Sequence, residues 1–478
     1  MKAHLLLSLL CAAGASSCAA SDGGYAIVVS KDTAADPGWA KVVSKLQQKH
    51  SGRILTFTGS VDTALPELKT LHPRWTCFVA RPDEAGRAFV QTVHRLTRQL
   101  DDDPYTDTLW GILTGFDAAN ALEIASQEKP LTVRKAGSGT ELAIDRIESG
   151  TWYCELRKGH MVTKSAGGKP EEHAVPADTT KALVDLINEG TTDLWVTSGH
   201  ATERDWMIGF RYKNGFWKSK AGRLYGEDTA GKTFDVQSPN PKIYLAVGNC
   251  LMGHIDGPDA MALAWLKSAG VCQMAGYVLP TWYGYQGWGL LDYFVEQPGR
   301  YTLAQAFFAN QHALIHRLMT AFPGAERIGP VDDMGRPLAR MALPPPPEAA
   351  RELVLGAQDM QGLLFDRDNV AFYGDPAWEA RMADGRKNWT QELKVKGSEH
   401  TLVITPDGGR AAWEPVNRNG SQRGGRPVIA YLPRRIDPAK VNVTAGGEWK
   451  PVIADDFILV PLPAAAEGPL TITFKVQE

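Results

Sequence analysis

Along the first part of the chain, apolar positions switch between the period of a strand and that of a helix. Tyr25-Ala-Ile-Val-Val-Ser30 is a short β-branched run, after which Trp39, Val42, Val43 and Leu46 recur at helical spacing. Arg53-Ile-Leu-Thr-Phe-Thr58 and Trp75-Thr-Cys-Phe-Val-Ala80 are the next strand candidates, and Phe89, Val90, Val93, Leu96 and Leu100 mark one face of a longer helix. Strands alternating with helices predict an α/β fold with a parallel sheet covered on both faces. A second α/β section follows a Gly-rich loop near Gly137 and Gly139. It reads as a helix over 177–189 closed by Gly190, buried strands over 193–197 and 242–247, a helix over 258–269 and a strand over 272–278. Asn214-Gly215, flanked by aromatic residues, carries the signature of a hairpin turn. From about residue 391 the helical pattern disappears. Leu470, Ile472, Phe474 and Val476 alternate with polar residues, and 428–431, 441–443 and 457–460 are further short strands, which predicts an immunoglobulin-like β-sandwich.

The chain start has a separate logic. Lys2 and His4 precede an apolar stretch over 5–13 and a small-residue run over 14–21, the layout of a secretory signal and too short for a membrane span. Ala15-Ser-Ser-Cys18 resembles a loose lipobox, so the expected location is secreted or on the cell envelope, with Cys18 as a possible lipid anchor. No later segment reads as a transmembrane helix. The expected layout is a signal over 1–21, an N-terminal α/β subdomain over 22–150, a catalytic subdomain over 151–390 and the β-sandwich over 391–478. Pro344 to Pro347 is a stiff proline run inside the third of these.

Composition narrows the field. Lys and Arg number 51 against 54 Asp and Glu, a net charge of −3, which argues against a nucleic-acid partner. Six cysteines are too few for a disulfide scaffold in 478 residues. Cys11 and Cys18 fall in the signal region, leaving Cys77, Cys154, Cys250 and Cys272, whose spacing matches no zinc cluster. The acidic run Asp101 to Asp103 lacks spaced ligands and reads as a solvated helix end rather than a calcium site.

Two strand ends carry candidate chemistry: Val196-Thr-Ser-Gly-His200 and Leu245-Ala-Val-Gly-Asn-Cys250. Each is an apolar strand closing on Gly and then a reactive side chain, and parallel α/β sheets bind ligands beyond the carboxyl ends of their strands. If the two strands are neighbours, His200 can activate the Cys250 thiol as a nucleophile and protonate a leaving amine. The backbone N–H groups of Ala201 and Cys250 are candidate oxyanion donors. Read alone, Cys250 is better explained by packing, the usual fate of a cysteine on an apolar strand, and only the pairing with His200 reverses that reading.

The flanking residues resemble a family. Gly199-His-Ala-Thr-Glu-Arg-Asp-Trp206 is similar to the Gly-His-Gly-Ser…Trp signature of the gingipain-like cysteine peptidases. Ile187-Asn-Glu-Gly190, Ala269-Gly-Val-Cys-Gln-Met-Ala-Gly276 and Val370-Ala-Phe-Tyr-Gly-Asp-Pro-Ala377 resemble the segments around it, so the resemblance covers most of residues 25–478. It implies a caspase-like three-layer α/β/α fold in two subdomains and an immunoglobulin-like module. It also implies a Cys250–His200 dyad that hydrolyses peptide bonds without a metal or cofactor. The protein or peptide substrate would meet a pocket wall at Trp282 and Tyr283, with Glu203 nearby. The chain has Gly-Asn-Cys250 where caspases proper carry Gln-Ala-Cys, and Ala201 where the family has glycine.

That alanine motivates a rival reading, an inactive homologue serving as an envelope binding or scaffold protein. A third reading makes Cys250, His254 and Asp256 a metal set of a hydrolase. His312 and His316 share a helical face but lack the glutamate of a zinc peptidase, and read as an ordinary amphipathic helix. Glu203, Asp205, Asp256 and Asp259 read as solvated charges or selectivity determinants. Oligomeric state is not legible.

Overall fold

The computed structural model describes residues 24–339, 355–463 and 466–477. The signal segment, Cys11, Cys18 and the Pro344–Pro347 run lie outside them. The dominant element is a mixed sheet of twelve strands. Its first half follows the expected alternation. Tyr25–Ser30 pairs in parallel with Arg53–Phe57 on one side and Trp75–Val79 on the other, and Trp75–Val79 pairs in parallel with Leu109–Leu113. All residues of Tyr25–Ser30 and of Leu109–Leu113 are buried, as strands covered on both faces must be.

The second half runs Val271–Tyr277, Lys242–Asn249, Leu194–Gly199, Lys135–Ser138 and Ser149–Tyr153 in parallel, then His160–Lys164 and Glu171–Ala174 antiparallel at the edge. Val370–Tyr373 joins the halves, parallel to Leu109–Leu113 and antiparallel to Val271–Tyr277. Gly137 therefore lies inside a strand and not in a loop, and a β-carbon there would overlap the Trp195 ring. The tight hairpin turn is not at Asn214-Gly215. Asn214 is buried, with its amide spent on the Thr179 N–H and hydroxyl, while Ala221-Gly222, both at positive φ, join Phe216–Lys220 to Arg223–Glu227.

Helices start where their caps are. Asp36 accepts the N–H groups of Gly38 and Trp39 ahead of Pro37–His50, and Thr302 with Gln305 forms a capping box on Leu303–Ala321. The helix at 177–189 is Thr180–Glu189. Gly190 closes it with right-handed φ, glycine being needed because a β-carbon would collide with the Leu186 carbonyl. Leu303–Ala321 is buried nearly all round: His312 is 0% exposed and stacks 4.2 Å from Phe457, so this is a core helix and not one with a solvent face.

The C-terminal region forms two antiparallel sheets. One has four strands, Trp389–Lys396, Glu399–Pro406, Leu470–Val476 and Val441–Ala445; the other has three, Val428–Tyr431, Phe457–Val460 and Val452–Ile453. Leu470, Ile472 and Phe474 face their own core, as the alternation predicts. The three-stranded sheet is buried on both faces: Val428, Ala430, Ile458 and Val460 join that core, while Ile429, Phe457 and Leu459 join the core of the large sheet.

Candidate active site

The two strands that end at His200 and Cys250 are adjacent and parallel near the middle of the large sheet, where neighbouring strands lie about 4.8 Å apart. Their register carries a bulge. Thr197 pairs with Ala246, but Ser198 pairs with Gly248 and Gly199 with Asn249, so Val247 is the extra residue. Without it Asn249 would be the residue opposite His200; with it, the next position in register is Cys250. Alternation puts Ser198 and Gly248 on one face of the two strands. A β-carbon on Gly248 would meet both the Ser198 β-carbon and the Trp288 ring.

Both ends turn sharply. Gly199 has φ +96°, and Leu251, directly after the cysteine, takes left-handed φ +59°, an uncommon conformation for a branched side chain. His200 opens a short hairpin: Met207 N–H donates to the His200 carbonyl at 2.9 Å and Thr202 N–H to the Asp205 carbonyl at 2.8 Å. Ala201 faces Trp206 as the narrow, non-hydrogen-bonded pair between those bonds. In that pair the Ala201 N–H points out of the hairpin, away from Trp206. Ala201 is not at positive φ, so its β-carbon meets no conformational barrier. Trp206 is 0% exposed and anchors the hairpin, its indole N–H donating to the Ser198 carbonyl at 2.8 Å and its ring lying where a β-carbon on Gly139 would go.

Four thiols lie in the described residues and all are free. Cys77, Cys154 and Cys272 are buried, and burial pushes each thiol up, Cys272 to about 11. Cys250 is the partly exposed one, and Thr281 N–H donates to its Sγ at 3.3 Å. The His200 ring is exposed and stacks on Phe210, centroids 4.7 Å apart, without a hydrogen-bond partner among the described residues.

Several supporting residues carried no sequence signal. Asn249, 0% exposed, clamps the two ends: its Nδ2 donates to the Gly199 carbonyl at 3.1 Å, and its Oδ1 accepts from Thr197 at 2.5 Å. Glu155 binds the His200 strand from below. Its Oε1 accepts from Ser198 Oγ at 3.0 Å and from Thr140, its carbonyl accepts the N–H groups of Phe210 and Arg211, and its Oε2 is buried with no partner. Compared with models of known protein families, with curated proteins and with solved structures, the chain matches none.

The remaining sequence candidates are distributed as follows. Trp282 is 53% exposed beyond the Cys250 loop, its indole N–H donating to the Asp333 carbonyl at 3.1 Å, and Tyr283 donates to the Met334 carbonyl at 2.9 Å. Glu203 lies in the His200 hairpin with its carbonyl bound by Met261 N–H. Asp256 is held by Arg204 through two bonds of 2.7 and 2.8 Å, and Asp259 accepts the Ala221 N–H. Cys250, His254 and Asp256 do not converge as a ligand set among the described residues. Asp101, Asp103 and Asp107 do converge, with oxygens within 4.8 Å of one another, so the acidic run is a partly buried cluster rather than a solvated helix end. Burial, then Asp101, raises Asp103 to about 7 and Asp107 to about 10.

Proposed function

We propose that the chain is an exported cysteine endopeptidase of the gingipain-like kind, with a caspase-like α/β/α core and an immunoglobulin-like C-terminal module. The observation that carries the reading is the bulged register that sets Cys250, the one partly exposed thiol described, opposite His200 on neighbouring parallel strands. His200 takes the thiol proton as Cys250 Sγ bonds to the scissile carbonyl carbon, and the oxyanion is held by the N–H groups of Ala201 and Cys250. His200 then gives that proton to the leaving amine as the C–N bond breaks, leaving a thioester on Cys250. A water molecule, deprotonated by His200, attacks the thioester, and Cys250 leaves as the thiolate while the acid product departs.

Trp282 and Tyr283 form the wall for the side chain preceding the scissile bond, with Glu203 at the rim. The inactive-homologue reading drew on Ala201; its backbone is not left-handed, which leaves crowding of the oxyanion site by its β-carbon as the remaining motive. No helix among the described residues is long and apolar enough to cross a membrane. The test is cleavage of a broad peptide library: loss of cleavage in Cys250→Ala and His200→Ala, with no effect of chelators, is expected, and full activity in Cys250→Ala would contradict the proposal.

A further inference from the structure

Exposed apolar side chains stand on both sides of the two strand ends. Trp282 and Met334 lie beyond the Cys250 loop, and Phe210 lies against His200. Phe210 is 42% exposed, yet its place is fixed from behind. Its N–H donates to the Glu155 carbonyl at 2.8 Å, and the Glu155 carboxylate accepts at 3.0 Å from Ser198, two residues before His200. The ring and the strand that carries the imidazole therefore share one buried anchor. The Phe210 and His200 rings stack with centroids 4.7 Å and planes 30° apart. A β-carbon on Gly199 would come to 3.8 Å from the Phe210 ring, so the ring lies over the strand end as well as over the imidazole. Leu156, the residue after Glu155, is a second exposed apolar side chain next to this anchor.

The two halves of a cleaved peptide go to different residues. The acyl half stays on Cys250, and the amine half takes its proton from His200. For that transfer the departing nitrogen must come within about 3 Å of an imidazole nitrogen. Its Cα follows about 1.5 Å further on. The side chain on that Cα is thus carried alongside the ring stacked on the imidazole. An apolar side chain there takes water off itself and off the exposed part of Phe210. A basic one is disfavoured, because the exposed charges of the flanking segments, Arg157, Lys158, Arg211 and Lys213, are all positive. We infer that Phe210, with Leu156 next to its anchor, is a specificity subsite for the side chain that follows the scissile bond, and that it takes a large apolar one. This rests on the peptidase reading, because only a departing amine brings that side chain to His200.

The test reads the products: a peptide library of mixed sequence is digested with the full-length protein, and mass spectrometry identifies the residue on each side of every cut. After the cut, the wild-type protein is expected to favour Leu, Ile, Met and Phe over Gly, Asp and Lys by about tenfold, the low end of what one apolar contact discriminates. Phe210→Ala is expected to bring that ratio to about twofold or less, Phe210→Leu to keep most of it, and Leu156→Ala to lower it by less than Phe210→Ala does. The distribution of residues before the cut is expected to stay the same in all three. A ring that only steadied His200 would slow every cut alike and leave the ratio untouched. An unchanged ratio in Phe210→Ala therefore overturns the inference, as does a wild-type protein with no preference after the cut. The two readings fail separately: no cleavage of any peptide refutes the peptidase and the subsite with it, whereas Cys250-dependent cleavage with an unchanged ratio refutes the subsite alone.

Discussion

Asn249 shows how a residue that does no chemistry can set a site's geometry. Its amide spans the ends of two strands, so Asn249→Ala leaves Cys250 and His200 in place but untied. About a tenfold to hundredfold fall in kcat with little change in KM is expected, since small misplacements of reacting groups are costly. Steady-state kinetics on one peptide checks it. Gly139→Ala acts through the hairpin anchor: its β-carbon overlaps the Trp206 ring, and an overpacking loss of about 1–3 kcal/mol is expected in denaturant unfolding. Cys250 and His200 were legible because each follows an apolar run and a glycine. Asn249 and Glu155 were not, because their roles are made with partners 52 and 43 residues away in sequence, at Thr197 and Ser198.

At the scale of elements, β-branched runs and helical spacing located Tyr25–Ser30, Trp75–Val79 and the strands under the site. Lys135–Ser138 was hidden by glycines, whose missing side chains make room for the rings of Trp195 and Trp206. Val370–Tyr373 was visible as a segment but not as the strand that joins the sheet's halves, since pairing across more than 250 residues leaves no periodicity. What holds it is Asp375, just beyond it. This buried carboxylate accepts from Tyr25 at 2.8 Å, pairs with Lys49 at 2.9 Å and lies 2.7 Å from His50 Nε2. Burial alone would raise its carboxyl, but the His50 hydrogen bond and the Lys49 charge outweigh it and hold it well below the usual range. A carboxyl depressed in the folded state stabilises above its unfolded pKa of about 3.9 and loses that contribution as pH falls. Asp375→Asn is therefore expected to lose about 3 kcal/mol at pH 7, the gap to wild type narrowing below pH 4 in urea melts.

Across the whole molecule, the alternation of the last strands predicted a β module, but not that one of its sheets would be buried on both sides. Facing residues from another module are invisible in a strand's own pattern, and the sheet carrying Ile429, Phe457 and Leu459 is shared between two cores. The junction concentrates charge. Asp101, Asp103 and Asp107 of the large domain meet Asp455 and Asp456, with Arg435 pairing Asp455 and donating to the carbonyls of Pro73 and Asp107. Asp103, raised to about 7 by burial and Asp101, is the reverse of Asp375. Its contribution is full below its unfolded pKa and is lost as pH rises through 7. Asp103→Asn is expected to gain stability over wild type between pH 5 and pH 8, read as a difference in melting temperature.

The most direct test of the central claim is intact-mass analysis of the full-length protein after reaction with an electrophilic peptide probe under reducing conditions. One adduct, mapped to Cys250, absent in Cys250→Ala and formed far more slowly in His200→Ala, is the expected result. An unlabelled wild-type protein, or an adduct on Cys77, Cys154 or Cys272 instead, would contradict it.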